Sequence, residues 1–157
     1  MESNEMHLES MKKAVKNIHI ADHMLYVTYP VIKDKRLLLK VLDQVYDAVV
    51  YIINAVLQQD YILKRIKLYS DPKANFQTFM EKSSKNYNIT SDEVKEVAEL
   101  VSLYESHKKS PMEFSRRDKI VIMSNSLKTS IIDSEKLKKY LNLSKNLAGK
   151  AKLGMAV

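Results

Sequence analysis

The chain has 157 residues, 45% apolar and 29% charged, a composition that suits one globular domain with a real core and argues against disorder of the whole. It contains no cysteine and only two glycines, Gly149 and Gly154. That excludes disulfides, zinc–thiolate and iron–sulfur sites, cysteine nucleophiles and glycine-rich phosphate loops. The formal charge of +7 has a local origin: residues 106–157 hold twelve Lys/Arg against four Asp/Glu, whereas residues 1–105 hold fourteen against fifteen.

The N-terminus, Met1-Glu2-Ser3-Asn4-Glu5, is acidic and polar, unlike the basic-then-apolar layout of a signal peptide. The longest apolar stretch, residues 48–57, is interrupted by Asn54 and is too short to span a membrane. The expectation is a soluble, cytoplasmic protein with no membrane partner.

In chain order, the first helix is predicted over 4–26. Leu8, Met11, Val15, Ile18, Asp22 and Leu25 alternate spacings of three and four and so share one stripe. Thr28-Tyr29-Pro30 is expected to end it, because proline drives the preceding residue out of the α region. The second helix is predicted over 34–69. Leu38, Leu42, Val45, Val49, Ile52, Val56, Leu63 and Ile66 form one seam, and Tyr46, Val50, Ile53, Leu57 and Tyr61 a second apolar face. Lys40, Asp47, Asn54 and Gln58 make a thin polar strip between them. A helix apolar on most of its circumference is normally enclosed by others, so this one is the expected centre of a bundle.

Three later helix starts carry capping signals. Ser70-Asp71-Pro72 sets a capping side chain before proline at the first helical position, followed by Phe76, Phe79 and Met80. Thr90-Ser91-Asp92-Glu93 reads as a capping box, with Ile89 and Val94 as its hydrophobic staple. Ser110-Pro111-Met112-Glu113 reads as a second box. The run Ile120-Val121-Ile122-Met123 fits a buried strand or a buried helix, and helix is preferred because no partner strand is evident. A last helix is predicted over 133–152, with Leu137, Tyr140, Leu141, Leu147, Ala148 and Ala151 on one stripe. Lys136, Lys139 and Lys150 line one edge of that stripe and Lys138, Lys145 and Lys152 the other, as in an ordinary docked helix whose lysine stems cover apolar surface. The expected fold is all-α: a single-domain bundle of about six helices around a long antiparallel helical hairpin, with a frayed tail from about 153.

Few residues suggest chemistry. His19 and His23 share a helix face and could reach one metal if Asp43 or Asp47 supplied a third ligand. Asp22, inside an apolar stripe, must find a partner or face a groove. No Glu-x-x-His motif and no strained serine turn occurs, so no catalytic residue, metal ligand or cofactor is assigned. The better polyanion candidates are Lys108, Lys109, Arg116, Arg117 and Lys119, because arginine grips phosphate bidentately where lysine is a point charge. Asp92, Glu93, Glu96, Glu99 and Glu105, on the helix from 91 to 107, could absorb part of the remaining basic charge.

The long helical hairpin, carried by the run from Ala21-Asp22-His23 to Ala55-Val56-Leu57, resembles the HEPN class of small helical bundles over roughly residues 4–110. That resemblance implies a ribonuclease or a partner of a nucleotidyltransferase. Active members carry an arginine followed four to six residues later by a histidine. None of His7, His19, His23 or His107 has one at that distance, so no catalytic residue carries over. The leading expectation is a non-enzymatic binding module for RNA or another polyanion, acting through its basic C-terminal third. The alternatives are a HEPN-type ribonuclease or metal-dependent hydrolase, and a bundle that binds a protein partner or forms a homodimer.

Overall fold

The computed structural model describes residues 2–110, 112–124 and 126–155, the side chains of 2–5 and 112 excepted. Helix α1 (Glu2–His23) runs through a π-helical turn, Met24–Thr28, into the short α2 (Tyr29–Ile32). Proline does not end the helix as expected. The Tyr29 N–H reaches back five residues to the Met24 carbonyl, and this wider turn admits Pro30, whose ring would otherwise press on the carbonyl four residues earlier. Lys33, at φ 56°, then stops the helix. The buried face of α1 is also rotated from the expected stripe. Ala14 and Ala21 are fully buried beside Met11, Ile18 and Leu25, while Leu8 is half exposed. Small side chains at these positions let α1 approach the central helix closely.

That central helix, α3 (Arg36–Ile62), buries its first seam, Leu38, Leu42, Val45, Val49, Ile52 and Val56, together with Val41, Ala48 and Ala55. On its second face Ile53 and Leu57 are buried, but Tyr46 and Val50 are half-buried and Tyr61 is exposed. Enclosure is therefore incomplete. A cleft of about 620 Å³ is lined by Tyr46, Val50, Ile53, Leu57, Phe76 and Val101 among others. The helix ends seven residues before the predicted 69, at Leu63 and Lys64 (φ 59°).

The reason lies in Asp60, which is 0% exposed. Its carboxylate accepts hydrogen bonds from Arg65 Nη1 at 3.3 Å and Asn86 Nδ2 at 3.0 Å, and its backbone carbonyl accepts from the Arg65 N–H at 2.8 Å. A carboxylate at a helix C-terminus opposes the helix dipole and is costly to bury, so the chain turns back to bring Arg65 to it. Tyr87 lies beside this group, and burial first, then the charge of Asp60, pushes its phenol up to about 12. Its ring packs against Gly154, where a Cβ would collide with it.

Two of the three capped starts form as expected. Asp71 accepts from the Lys73 N–H ahead of α4 (Pro72–Thr78), which passes through a π-helical turn, Phe79–Ser83, into α5 (Ser84–Asn86). Thr90 and Glu93 make a complete capping box at the start of α6 (Ser91–Lys109). The third start does not open a helix. Pro111 lies outside the described residues, and Ser110 is extended, its hydroxyl donating to the Met123 carbonyl at 3.0 Å.

Beyond α6 the chain forms an antiparallel three-stranded meander: β1 (Met112–Arg116), β2 (Lys119–Met123) and β3 (Thr129–Ile132), in that order. The molecule is mostly helical but not all-α, with five continuous helical rods among the described residues where about six are expected. The β-branched Ile120, Val121 and Ile122 favour a strand, and the partners they need come from both sides in sequence. The turns that join them lack the usual glycine: Arg117 (φ 57°) and Leu127 (φ 63°) hold the left-handed conformations that glycine normally marks.

Helix α7 (Ser134–Met155) completes the chain's described elements, its predicted stripe wholly buried against the molecule's own core. One cluster of buried apolar side chains runs from Met11 to Ala151 and includes Ile120, Ile122 and Ile132 of the sheet. Among the described residues no helix is long and apolar enough to cross a membrane.

Two variants probe these features. The ordinary phenol value is 10.0, so the unfolded chain releases the Tyr87 proton at a pH where the fold retains it. Stability from this group is therefore intact below about pH 10 and is lost as pH rises towards 12. In urea melts, Tyr87→Phe should flatten that alkaline loss and change little at pH 8, since the buried hydroxyl has no hydrogen-bond partner among the described residues. An unchanged alkaline limb would contradict this. Leu127→Gly should raise stability by about 1 kcal/mol by relieving the left-handed backbone of an exposed leucine, read as a higher thermal midpoint.

Candidate nucleic-acid interface

The period of two along the strands divides the meander into two faces. Ile120 pairs with Ser115 and Ile132, and Ile122 with Glu113 and Ser130; this row faces the helices, where the three isoleucines are buried. Each buried isoleucine contributes roughly 1.5–3 kcal/mol to holding the sheet there. Glu113, on the same row, reaches α6 and meets His107 Nδ1 at 2.5 Å.

The opposite face looks outward. Phe114 pairs with Val121 and Val121 with Ile131, forming one cross-strand row, and Arg116 pairs with Lys119 in the next. Phe114 is 41% and Ile131 38% exposed. Arg117 and Asp118 form the turn beyond Arg116 and Lys119. Arg116, Arg117, Asp118 and Lys119 rim a concavity of about 490 Å³ together with Val121 and Ile131. The turn lies near α2: burial, and then the charge of Asp118, raises the Tyr29 phenol above its ordinary value.

The five predicted cations thus fall into two groups at opposite ends of β1, roughly 13 Å apart along the strand. Arg116, Arg117 and Lys119 are together and exposed, and among the described residues their side chains have neither an ion-pair nor a hydrogen-bond partner. Lys108 and Lys109 lie at the end of α6. Lys108 Nζ sits 3.6 Å from Asp43 Oδ1 and 5.3 Å from the centre of the Tyr104 ring. Asp43, then Tyr104, raises its pKa. Tyr104 in turn stacks on Tyr46 with ring centroids 3.6 Å apart. Lys109 borders a small serine-lined cleft with Ser106, Ser110, Ser124 and Ser126.

The basic charge of α7 is largely held within the molecule. Lys145 meets Asp22 at 2.6 Å, Lys139 meets Glu99 at 3.7 Å, and Lys150 pairs with Glu93. Burial works to raise the Glu93 carboxyl, but hydrogen bonds from Lys150 and Thr90 outweigh it and hold the group below the ordinary range. Lys138 pairs with Glu135, and Lys136 donates to the Ile131 carbonyl.

The residues considered for metal chemistry are not brought together. Asp22 faces Lys145 on α7, Asp43 faces Lys108 on α6, and His19 and His23 are exposed. Asp43 does lie near Asp47, whose carboxyl is raised by burial and then by Asp43. Among the described residues no three His, Asp or Glu side chains are grouped as a metal site requires. Sequence reasoning also misses the His107–Glu113 pair, since local pattern suggests a helix where the strand carrying Glu113 lies. Comparison of the chain with protein-family models, curated proteins and solved structures finds no match.

The division of the cations has a thermodynamic signature. Lys108→Ala, which also removes the ammonium over the Tyr104 ring, should lower stability by about 0.2–1 kcal/mol, the range of an exposed ion pair. Arg116→Ala, Arg117→Ala and Lys119→Ala should each stay within about 0.5 kcal/mol of the parent. Urea denaturation separates the two classes, and equal effects would contradict the division.

Proposed function

We propose that this chain is a non-enzymatic binding module for RNA or another polyanion, and that the tip of the first hairpin carries the contact. One observation supports the reading most: around the turn of the first hairpin the side chains of Arg116, Arg117 and Lys119 are exposed and have no ion-pair partner among the described residues. Three of the six lysines of α7, by contrast, are tied to acids on neighbouring helices, and Lys138 to Glu135 of its own helix. Unpaired cations keep their full attraction for phosphate, and releasing the counterions around a polyanion drives association without sequence readout. The two arginines add planar, bidentate recognition of phosphate oxygens. Lys109 extends the basic surface at the other end of β1. Lys108 contributes least, because Asp43 already neutralises it. A cytoplasmic location belongs to the same reading.

Titration of a labelled RNA at rising salt tests it. Binding should weaken steeply with salt, and Arg116→Ala combined with Arg117→Ala should weaken it about tenfold at low salt and shallow the salt slope by about 1.4. Lys108→Ala should have little effect. No binding at low salt, or binding indifferent to the double variant, removes the reading.

A further inference from the structure

Charge alone does not distinguish a single strand from a duplex, but the outer face of the meander carries a second feature. Its middle row, Phe114–Val121–Ile131, is apolar and continuous across all three strands. The next row, Arg116–Lys119, is cationic, and Arg117 succeeds it in the turn. Successive side chains on one face of a strand are roughly 7 Å apart, so the phenyl ring and the cations are separated by about the span from a base to its own phosphate. Val121, the cross-strand partner of Phe114, lines a concavity of ligand size with Ile131, the three cations and Asp118.

We propose that this outer face is a site for single-stranded nucleic acid, in which one base stacks on Phe114 over the floor of Val121 and Ile131 while Arg116, Lys119 and Arg117 hold the adjoining phosphates. The proposal rests on the polyanion reading above and narrows it. Bases in a duplex are stacked on one another and present only their edges and a charged backbone, so an apolar row would meet phosphate and gain nothing. An unpaired base offers its π-face, which an exposed phenyl ring can cover whatever the base. The cations lie at one end of the row only, and the Met123–Thr129 row at the other end has no charge, so the strand is held on one side of the stacked base. With a single aromatic on the face, the site takes a short run of nucleotides. Asp118, in the same turn, is the one acid on the rim of the concavity and weakens the local field.

Fluorescence anisotropy on the full chain, with a labelled single-stranded RNA oligomer and a duplex of the same length and sequence, tests the proposal. The single strand should bind more tightly. Phe114→Leu, which keeps apolar contact with Val121 and Ile131 but removes the ring, should weaken single-strand binding between about fivefold and a hundredfold and leave duplex binding unchanged. Phe114→Tyr should retain affinity, and Asp118→Asn should tighten it. Equal affinity for the two RNAs, or a Phe114→Leu variant that binds the single strand as the parent does, overturns this site. If binding is at the same time lost in the variant carrying both arginine changes, the polyanion reading survives. Absence of binding to either RNA at low salt overturns both.

Discussion

Helix α3 cannot exist exposed. It buries Leu38, Val41, Leu42, Val45, Ala48, Val49, Ile52, Ile53, Ala55, Val56 and Leu57, and each of its larger side chains is worth roughly 1.5–3 kcal/mol when taken out of water. The other helices are placed by that need. Helix α1 lies along it with alanines at the contact, α7 covers a second side, and α6 and the turn after α4 take parts of the rest. Asp60, the fully buried carboxylate of this helix, sets where it stops, because the group requires Arg65 and Asn86 within hydrogen-bond reach. Enclosing α3 thus decides both the bundle and the path of the chain at its end.

The same packing sorts the charge. Docking the stripe of α7 into the core brings the lysines on its edges against acids on α1 and α6, where they pair at distances that depend on the packing and not on proximity in sequence. Lys145 and Asp22 are 123 residues apart, yet they form a direct contact. Such half-exposed pairs each add little to stability. Their larger effect is to cancel field along α7, so that among the described residues the cluster of three cations at the first hairpin stands out from a partly neutralised C-terminal third.

The sheet stands apart from this logic of helix on helix. Three isoleucines of its inner row tie it to the core, and the period of two then obliges the alternate residues to face away. An exposed phenylalanine and two cations on the outer rows are a direct consequence of that anchoring. The His107–Glu113 contact joins β1 to α6 and fixes the sheet against the helix on the side away from the turn.

Much of the helical architecture was legible in the chain. The stripe of α7, the seam of α3 and the caps at Asp71 and Thr90 depend on neighbours within a few residues, and local spacing and capping chemistry report those faithfully. The Thr90–Glu93 box forms as its residues predict, although its glutamate also serves Lys150 from a distant helix. The sheet was not legible. Ile120–Met123 suits helix and strand alike, and its turns lack glycine, so only pairing with Met112–Arg116 and Thr129–Ile132 decides the matter. Asp60 was silent for a similar reason: nothing local says that a carboxylate near a helix end will be sealed in.

By itself, then, the sequence determined where the long helices of the bundle lie, most of the apolar faces of the central and last helices, and that the excess positive charge belongs to the last third. Tertiary structure alone decided which of those cations are paired with acids and which residues share a face with the others. Helical periodicity is a property of one segment, whereas strand register and ion pairing are properties of two segments meeting in space.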